Sequence, residues 1–552
     1  MDSPQSENNY DVLIVGAGLS GICSLYHIRK QFPMWRVKVI EAGDGPGGTW
    51  MWNRYPGARF DSESLSYGYS FDKDMLDEWH WKEAFSPQPE TLKYIERFCE
   101  KHQLYDDIKF NTRIRSAKWH EQTHTWLFTD EAGAEYRTKF FISCIGFLSS
   151  PTLPAIPGVS SFAGESFHTS RWPKDFDMKR DFAGKRVGII GTGATGIQTI
   201  TEIAKEPSIK SLTVFQRTAN WSAPLRNTQI STEDMEIHKK NYETVFKRCA
   251  STPMCFIHEA DPRKSADVTD EERLALWEKI YSEPGMSKWL GAFKDTYSDR
   301  EANRLYSDFM ASKIRARVHD PQVAERLIPK DHGFGTRRVP LESGYFESYN
   351  KPNVHLVDLK ETPIEQVTAT GITTVDGTQH ELDVLIFATG FDAITGAFRA
   401  IDFRVKDGRP LLGDAEQNAV WVNQRPRTFL GMTAPNVPNM FMVLGPHQPF
   451  GNATRTIEHA VDVVMDLLEY CKESNYTYVE ATEEAADEWT KHVFEAAQGS
   501  LANEIDSWMT GVNKNVKGKT ERTVARYAGS AIEFRRRCAA CKDAGWAGLT
   551  FA

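Results

Sequence analysis

The sequence predicts an α/β fold with two domains of parallel sheet and a mostly helical insertion. Two observations support this prediction. A strand–turn–helix–strand pattern with a glycine-rich turn occurs twice, at residues 16–21 and 191–196. Residues 231–326, after the second pattern, are instead rich in charge and in helix-start signals. A length of 552 residues also exceeds what one core usually serves, so two or three domains are expected.

The first glycine-rich turn follows an apolar strand-like run and precedes a helical pattern. It contains Gly16, Gly18 and Gly21. In a dinucleotide-binding unit the first glycine makes the tight turn, the second lets the backbone approach a pyrophosphate, and the third lets helix and strand pack closely. The next strand, at residues 37–40, ends at Glu41, whose carboxylate suits the ribose hydroxyls of FAD or NAD.

The second turn contains Gly191, Gly193 and Gly196 in the same context. Here the following strand ends at Arg217. A guanidinium pairs with the 2′-phosphate of NADP, which a carboxylate would repel. The two units together therefore predict two Rossmann-like domains, one for FAD and one for NADPH.

Chains with one unit of each kind resemble the two-dinucleotide-binding flavoproteins, which include disulfide reductases, oxidases and monooxygenases. Disulfide reductases carry a C-x-x-x-x-C motif soon after the first ribose acid. Residues 41–61 contain no cysteine, which disfavours that branch.

The predicted insertion contains two capping-box patterns. Thr269 is followed three residues later by Glu272, and Ser298 by Glu301. Each pattern precedes apolar residues at helical spacing, so helices are expected to begin there.

The composition excludes several classes. A net charge of -9 argues against nucleic acid as a partner. Eight scattered cysteines and a polar N-terminus without an export signal indicate reduced thiols and a cytoplasmic location. Cys538 and Cys541 form a C-x-x-C pair, but a metal or redox role would need further ligands or a thioredoxin-like context. No metal site, membrane anchor or protein partner is predicted.

Residues 162–173 match the pattern F-x-G-x-x-x-H-x-x-x-W-[PD] at every defined position. This pattern resembles the fingerprint of the type I Baeyer–Villiger monooxygenases, in which it lies in an interdomain linker. Related enzymes that oxygenate nitrogen or sulfur typically have tyrosine in place of Trp172. His168 is either a residue that acts on domain motion, as the resemblance implies, or a buried hydrogen-bonded histidine; it is not assigned as an acid or base.

A second family pattern, [AG]-G-x-W-x-x-x-x-[FY]-P-[GM]-x-x-x-D, is met in full by residues 47–61. In the resembling enzymes its aspartate, here Asp61, lies beside an essential arginine. That arginine corresponds to Arg338, and the preceding residue, which helps to bind the NADP phosphate, is usually lysine. Arg337 occupies the lysine position in this chain, a modest departure because both groups are cationic.

The resemblance implies a reaction as well as a fold. NADPH reduces FAD, O₂ gives a C4a-peroxyflavin stabilised by Arg338, and this species attacks a ketone to form an ester or lactone, with sulfoxidation as a possible side activity. Arg338 and Asp61 are the predicted catalytic residues, and Trp508 is the predicted substrate-side residue, although residues 512–517 depart from the usual sequence. The expected cofactor contacts are Gly16, Gly18, Ser20, Gly21, Glu41, Gly48, Thr49, Trp50, Trp52, Arg59, Asp61, Tyr67, Ile114, Gly191, Thr192, Gly193, Ala194, Thr195, Gly196, Gln198, Arg217, Thr218, Arg337 and Arg338.

Three alternatives remain open from the residues: a flavin monooxygenase that acts on nitrogen or sulfur, an NADPH oxidase that releases H₂O₂, and a redox sensor that binds both nucleotides without turnover. The expected domains are FAD-binding at 1–150 and 386–552, NADP-binding at 151–225 and 329–385, and the helical insertion at 226–328.

Overall fold

The computed structural model describes residues 8–552, and residues 1–7, which belong to the stretch without an export signal, lie outside that range. The first sheet has eight strands and is mixed. In spatial order they are Asp402–Arg404, Ile114–His120, Thr125–Asp130, Glu135–Ser143, Asn9–Val15, Val37–Ile40 and Ile108–Lys109, with Met440–Met442 beside the end of Glu135–Ser143. Strands from both ends of the chain thus form one sheet.

The second sheet has five strands, all parallel. In spatial order they are Val354–Asp358, Ser211–Gln216, Arg186–Ile190, Val384–Phe387 and Glu165–His168. Between the strands Val354–Asp358 and Val384–Phe387, the chain forms a separate antiparallel sheet. Its three strands are Ile364–Thr368, Gly371–Thr374 and Gln379–Glu381. The resemblance implied an interdomain linker for the fingerprint, but part of the motif is a strand of the five-stranded sheet. Its residues Glu165–His168 form the edge strand, because they pair in register with Val384–Phe387.

The insertion is helical, as predicted. Its helices are Thr232–Ala250, Asp270–Ser282, Ser287–Leu290, Arg300–Arg317 and Pro321–Leu327. Thr269 forms the predicted capping box with Glu272. The other prediction is wrong by one residue: Asp299, not Ser298, caps the helix, because the Asp299 carboxylate accepts a hydrogen bond from the Ala302 N–H.

The remaining elements cover the two sheets. The longer helices are Leu19–Gln31, Gln88–Lys101, Ala194–Ile203, Ala453–Glu473, Glu483–Ala496 and Ala531–Asp543, and the shorter ones are Thr49–Trp52, Lys73–Glu78, Met178–Asp181, Tyr345–Ser348 and Gly396–Arg399. Small strand pairs join Ala223–Pro224 to Leu341–Glu342, Leu412–Gly413 to Trp421–Val422, and Val479–Ala481 to Leu549–Phe551. Within residues 8–552, none of the helices combines the length and apolar character needed to cross a bilayer.

Two large apolar cores hold the sheets and helices together. In one core the helix Leu19–Gln31 packs against the helix Ala453–Glu473, so helices from the N-terminal and C-terminal parts of the chain share that core. The other buries Ile197, Ile200 and Ile203 of the second glycine-turn helix beneath the second sheet. Both glycine-rich turns therefore sit at the carboxyl ends of central parallel strands, where open α/β sheets bind ligands.

Candidate active site

The first glycine-rich turn is shaped by close contacts within the chain. Gly16 has a φ of +104°, and a Cβ there would lie 2.3 Å from the carbonyl oxygen of Cys144. Gly18 is different: the nearest atom to an added Cβ, the Gly48 Cα, is 3.5 Å away. Packing within the turn therefore does not require a glycine at position 18. A glycine that faces a ligand would show this absence of close contacts within the chain.

Glu41 is buried at the end of its strand, where its orientation is fixed by backbone donors. Its carboxylate accepts hydrogen bonds from the N–H groups of Ala17, at 2.7 Å, and Gly43, at 2.6 Å. Burial raises the pKa of Glu41, and these two donors oppose the rise. Glu41 is thus held directly beside the glycine turn.

The second glycine-rich turn repeats this design with more open space. Gly191 has a φ of +108°, and a Cβ there would lie 2.5 Å from the Ala388 carbonyl oxygen. No atom lies within 4 Å of a Cβ built on Gly193, directly before the helix Ala194–Ile203. Backbone N–H groups at a helix start and an unfilled space before them suit a phosphate group.

A cavity of about 580 Å³ opens beside Arg217 at the end of the second sheet. Arg326, Lys330 and Lys360 also line it, together with the acidic Glu325, Asp358 and Glu361. Burial lowers the pKa of Arg337, and the more distant charge of Arg217 adds to this effect, whereas Asp331, at 3.8 Å, opposes it. Arg217 and Arg337 are candidate ligands for an anion.

Asp61 and Arg338 form an ion pair across 277 residues of sequence, with 2.7 Å between Oδ2 and Nη2. The Asp61 side chain is fully buried, whereas that of Arg338 is 32% exposed. Burial raises the pKa of Asp61 and the Arg338 guanidinium opposes the rise. The pair anchors one end of the guanidinium in protein and leaves the rest accessible.

The fingerprint residues are packed and hydrogen-bonded. His168 Nδ1 accepts a hydrogen bond from the Ser170 N–H at 3.1 Å, so Nε2 carries the proton and donates to the Gly390 carbonyl at 3.1 Å. Trp172 is buried among Phe167, Phe176 and Phe182. His168 thus links the edge strand to the segment that follows the neighbouring strand.

The burial of His168 predicts a pH-dependent stability. Burial lowers its pKa to about 4, against about 6.5 in an unfolded chain. The folded state therefore binds fewer protons between these values, and the contribution of His168 to stability is lost as the pH falls from 6.5 towards 4. Relative to a His168→Gln variant, the wild-type protein is expected to lose up to about 3 kcal/mol of unfolding free energy over this range. Denaturant unfolding of both proteins at each pH measures the difference, and a pH-independent difference would contradict it.

Comparison with known proteins decides the family. Residues 10–254 match the flavin-binding monooxygenase-like family. The chain is 43% identical over 533 residues, 96% of both chains, to 2-oxo-Δ3-4,5,5-trimethylcyclopentenylacetyl-CoA monooxygenase of Pseudomonas putida. It is 37% identical over 542 residues, 98% of this chain and 96% of the other, to cyclohexanone 1,2-monooxygenase of Acinetobacter sp.. Its fold matches a crystal structure of OTEMO in complex with FAD and NADP with a TM-score of 0.92 and 42% identity, covering 98% of this chain and 99% of that one.

The chain belongs to the Baeyer–Villiger monooxygenase family. The predicted α/β fold with two dinucleotide-binding domains is confirmed with it. The fingerprint precedes the second glycine-rich turn, and its residues Glu165–His168 form an edge strand of the second sheet.

Several predicted flavin contacts cluster around the short helix Thr49–Trp52, directly after Gly48. Trp50 donates a hydrogen bond from Nε1 to the hydroxyl of Tyr67 at 3.1 Å. Trp52 lies 4.5 Å beneath the guanidinium of Arg171. Gly48, directly before this helix, lies against Gly18, so the helix begins beside the first glycine-rich turn.

Other predicted contacts are engaged within the protein. Arg59 pairs with Glu83 at 3.1 Å. Ser20 is buried in the helix Leu19–Gln31, and Ile114 begins a strand of the first sheet. The structure therefore puts Ile114 and Ser20 in the framework of the first domain.

The predicted contacts of the second domain surround its glycine-rich turn. The Thr192 hydroxyl donates to the carbonyl of Thr218 at 2.8 Å, which ties the turn to the residue after Arg217. Thr195 accepts a hydrogen bond from the hydroxyl of Thr169, which lies next to His168.

Gln198 bridges the two domains in a way that sequence reasoning missed. Its Oε1 accepts a hydrogen bond from the Tyr55 hydroxyl at 2.7 Å, and its Nε2 donates to the Arg59 carbonyl at 3.2 Å. Tyr55 occupies a defined position of the second pattern, so the motif marked it. The partner could not be found from spacing, because 143 residues separate the two.

Trp508 lies apart from the Asp61–Arg338 pair. It packs against Phe450, with 5.3 Å between ring centroids, and Phe450 packs against Phe147. Among the described residues no hydrogen bond, ion pair or ring contact joins Trp508 to Arg338. Asp506, two residues before Trp508, pairs with Arg522 at 2.7 Å, and its charge raises the pKa of Arg337.

Proposed function

We propose that this chain uses FAD, NADPH and O₂ to convert ketones into esters or lactones. The observation that supports the proposal most strongly is the ion pair between buried Asp61 and accessible Arg338. A guanidinium stays charged at every physiological pH, so it can stabilise negative charge that develops during oxygen transfer to a ketone. Asp61 is a positioning residue, since it holds one edge of that guanidinium.

The residues of the first domain fit FAD. The unfilled side of Gly18 would receive the pyrophosphate, Glu41 would accept hydrogen bonds from the adenosine ribose, and Trp50 and Tyr67 would flank the flavin. When bound, FAD supplies the redox and oxygen-transfer chemistry, and the protein supplies orientation and charge.

The residues of the second domain fit NADPH. Gly193 leaves space for the pyrophosphate, and Arg217 with Arg337 offers two guanidinium groups for a 2′-phosphate. The cavity beside Arg217 would hold the adenosine end.

Replacing Arg217 with alanine is expected to raise the KM for NADPH by about 10- to 100-fold, and that for NADH much less, because a charge-assisted contact to the 2′-phosphate is lost. Steady-state kinetics with both nucleotides measure the ratio. Arg326→Ala is the matched control: Arg326 lines the same cavity, but Glu361 neutralises it at 2.7 Å, so its effect is expected to be smaller. Equal losses with NADPH and NADH would contradict the assignment.

The function is tested with purified holoenzyme, NADPH and a panel of linear, cyclic and aryl ketones, amines and sulfides. Products are identified by mass spectrometry, and NADPH consumption is compared with product formation. Esters or lactones formed in proportion to NADPH support the proposal. Oxides of nitrogen or sulfur alone, H₂O₂ alone, or nucleotide binding without turnover would each support one of the three alternatives instead.

A cytoplasmic location is part of the proposal and fits the eight cysteines, which are all unpaired.

A further inference from the structure

Arg526 is a basic residue without an acidic partner. Its Nε is buried and has no hydrogen-bond partner, and no ion pair involves its guanidinium within residues 8–552. The side chain nevertheless keeps part of its surface accessible. Burial lowers the pKa of Arg526 to about 10, and no neighbouring charge contributes to that change. The guanidinium thus sits in a recess of the molecule with its hydrogen-bonding capacity unused.

Several other buried or half-buried cations of this chain have an acidic partner. Lys519 pairs with Asp392, Arg455 with Glu458, and Arg338 with Asp61. Placing a cation in a recess without a counter-charge is costly, and such groups are normally paired. Arg526 differs from these three residues, because neither an acidic side chain nor a backbone carbonyl is its hydrogen-bond partner among the described residues, and this points to a ligand as its partner.

Arg526 lies in the segment that packs beside Trp508, the residue predicted on the substrate side. Its neighbour Ala525 packs with Trp508 and Leu148, and the Ala525 carbonyl accepts a hydrogen bond from the His447 N–H at 3.0 Å. The next residue, Tyr527, donates its N–H to the Gln448 carbonyl at 3.1 Å. The segment around Arg526 therefore runs along the loop that continues to Phe450, the residue on which Trp508 packs.

This location separates Arg526 from the phosphate sites. Among the described residues, no hydrogen bond joins residues 524–527 to either glycine-rich turn. The two cofactor pyrophosphates would lie at those turns, and the 2′-phosphate would lie beside Arg217. An anion at Arg526 is therefore most simply part of the substrate.

We propose that Arg526 binds a carboxylate carried by the ketone substrate, so that the enzyme prefers keto acids to neutral ketones. A guanidinium binds a carboxylate through two parallel hydrogen bonds, which suits a single arginine as the recognition element. The inference rests on the proposed function and narrows its substrate class.

The test compares short- and medium-chain keto acids with their methyl esters, which lack the negative charge and carry one additional methyl group. The wild-type holoenzyme is expected to show a higher kcat/KM for each keto acid than for its ester. In Arg526→Gln this keto-acid to ester ratio is expected to fall by about 10- to 100-fold, and Arg526→Lys should recover part of it. Arg536→Gln is the control with the same charge change, because Arg536 is 65% exposed and pairs with Glu533.

Binding is measured separately from turnover. Calorimetric titration of the holoenzyme with a keto acid should give a Kd that rises about 10- to 100-fold in Arg526→Gln, whatever reaction the enzyme performs. A failure of the proposed function, with no ester product, would leave this binding result intact. An unchanged ratio and Kd would overturn the inference, as would a variant that loses FAD or binds NADPH weakly, since the partner would then be a cofactor phosphate. Flavin absorbance and melting temperature show that each variant is folded.

Discussion

Replacing Arg338 with alanine is expected to lower kcat for ketone oxygenation by about 10²- to 10³-fold while the protein keeps its flavin. The guanidinium is the permanent positive charge of the proposed site, and it is one-third exposed, so it can reach a reacting group. Its removal leaves Asp61 buried without its partner, but Gly18, Glu41, Trp50 and Tyr67, the residues proposed above to hold FAD, are unchanged. The measurement is product formation per bound flavin at saturating ketone and NADPH.

Arg337 provides the control for this prediction, because it is the adjacent residue and has the same charge. Arg337→Ala is expected to raise the KM for NADPH rather than to lower kcat, since Arg337 is proposed, with Arg217, to bind the 2′-phosphate. Arg338→Lys should retain part of the activity, because it keeps the charge and loses the fork geometry. Full ester formation by Arg338→Ala would remove Arg338 from the proposed mechanism.

Replacing Asp61 with asparagine is expected to lower kcat by about 10- to 100-fold. The change keeps the shape of the side chain and removes the charge that orients Arg338 from 2.7 Å. It is also expected to cost about 1 to 3 kcal/mol of unfolding free energy, below the usual value for a broken buried pair, because Arg338 is partly solvated. Kinetics and denaturant unfolding of the variant measure the two effects.

A double-mutant cycle tests whether Asp61 acts through Arg338. If Asp61 only positions the guanidinium, adding Asp61→Asn to Arg338→Ala should lower kcat little further. Multiplicative losses would show that Asp61 has an independent role in the reaction.

Much of the framework could be predicted because it depends on local sequence. Gly16 and Gly191 occupy left-handed turns that their motifs demand, and Glu41 and Arg217 end strands whose length is set by apolar runs. The capping box at Thr269 is likewise local. Ser298 misled the prediction because the adjacent Asp299 is an equally good cap, and only tertiary packing decides between them.

The site itself was less predictable because its pairs are distant in sequence. Nothing in spacing joins Asp61 to Arg338; the resemblance to a family suggested that pair. The bridge from Tyr55 to Gln198 and the unpartnered guanidinium of Arg526 had no local signal, because each depends on which segments meet in the fold.

Reaction under ¹⁸O₂ tests the central claim most directly. The holoenzyme is supplied with NADPH and a ketone that it converts, and the product is analysed by mass spectrometry. If the enzyme oxygenates ketones with O₂, we expect an ester or lactone that contains one ¹⁸O atom and is formed in proportion to the NADPH consumed. Consumption of NADPH with ¹⁸O found only in hydrogen peroxide, across the whole ketone panel, would contradict it.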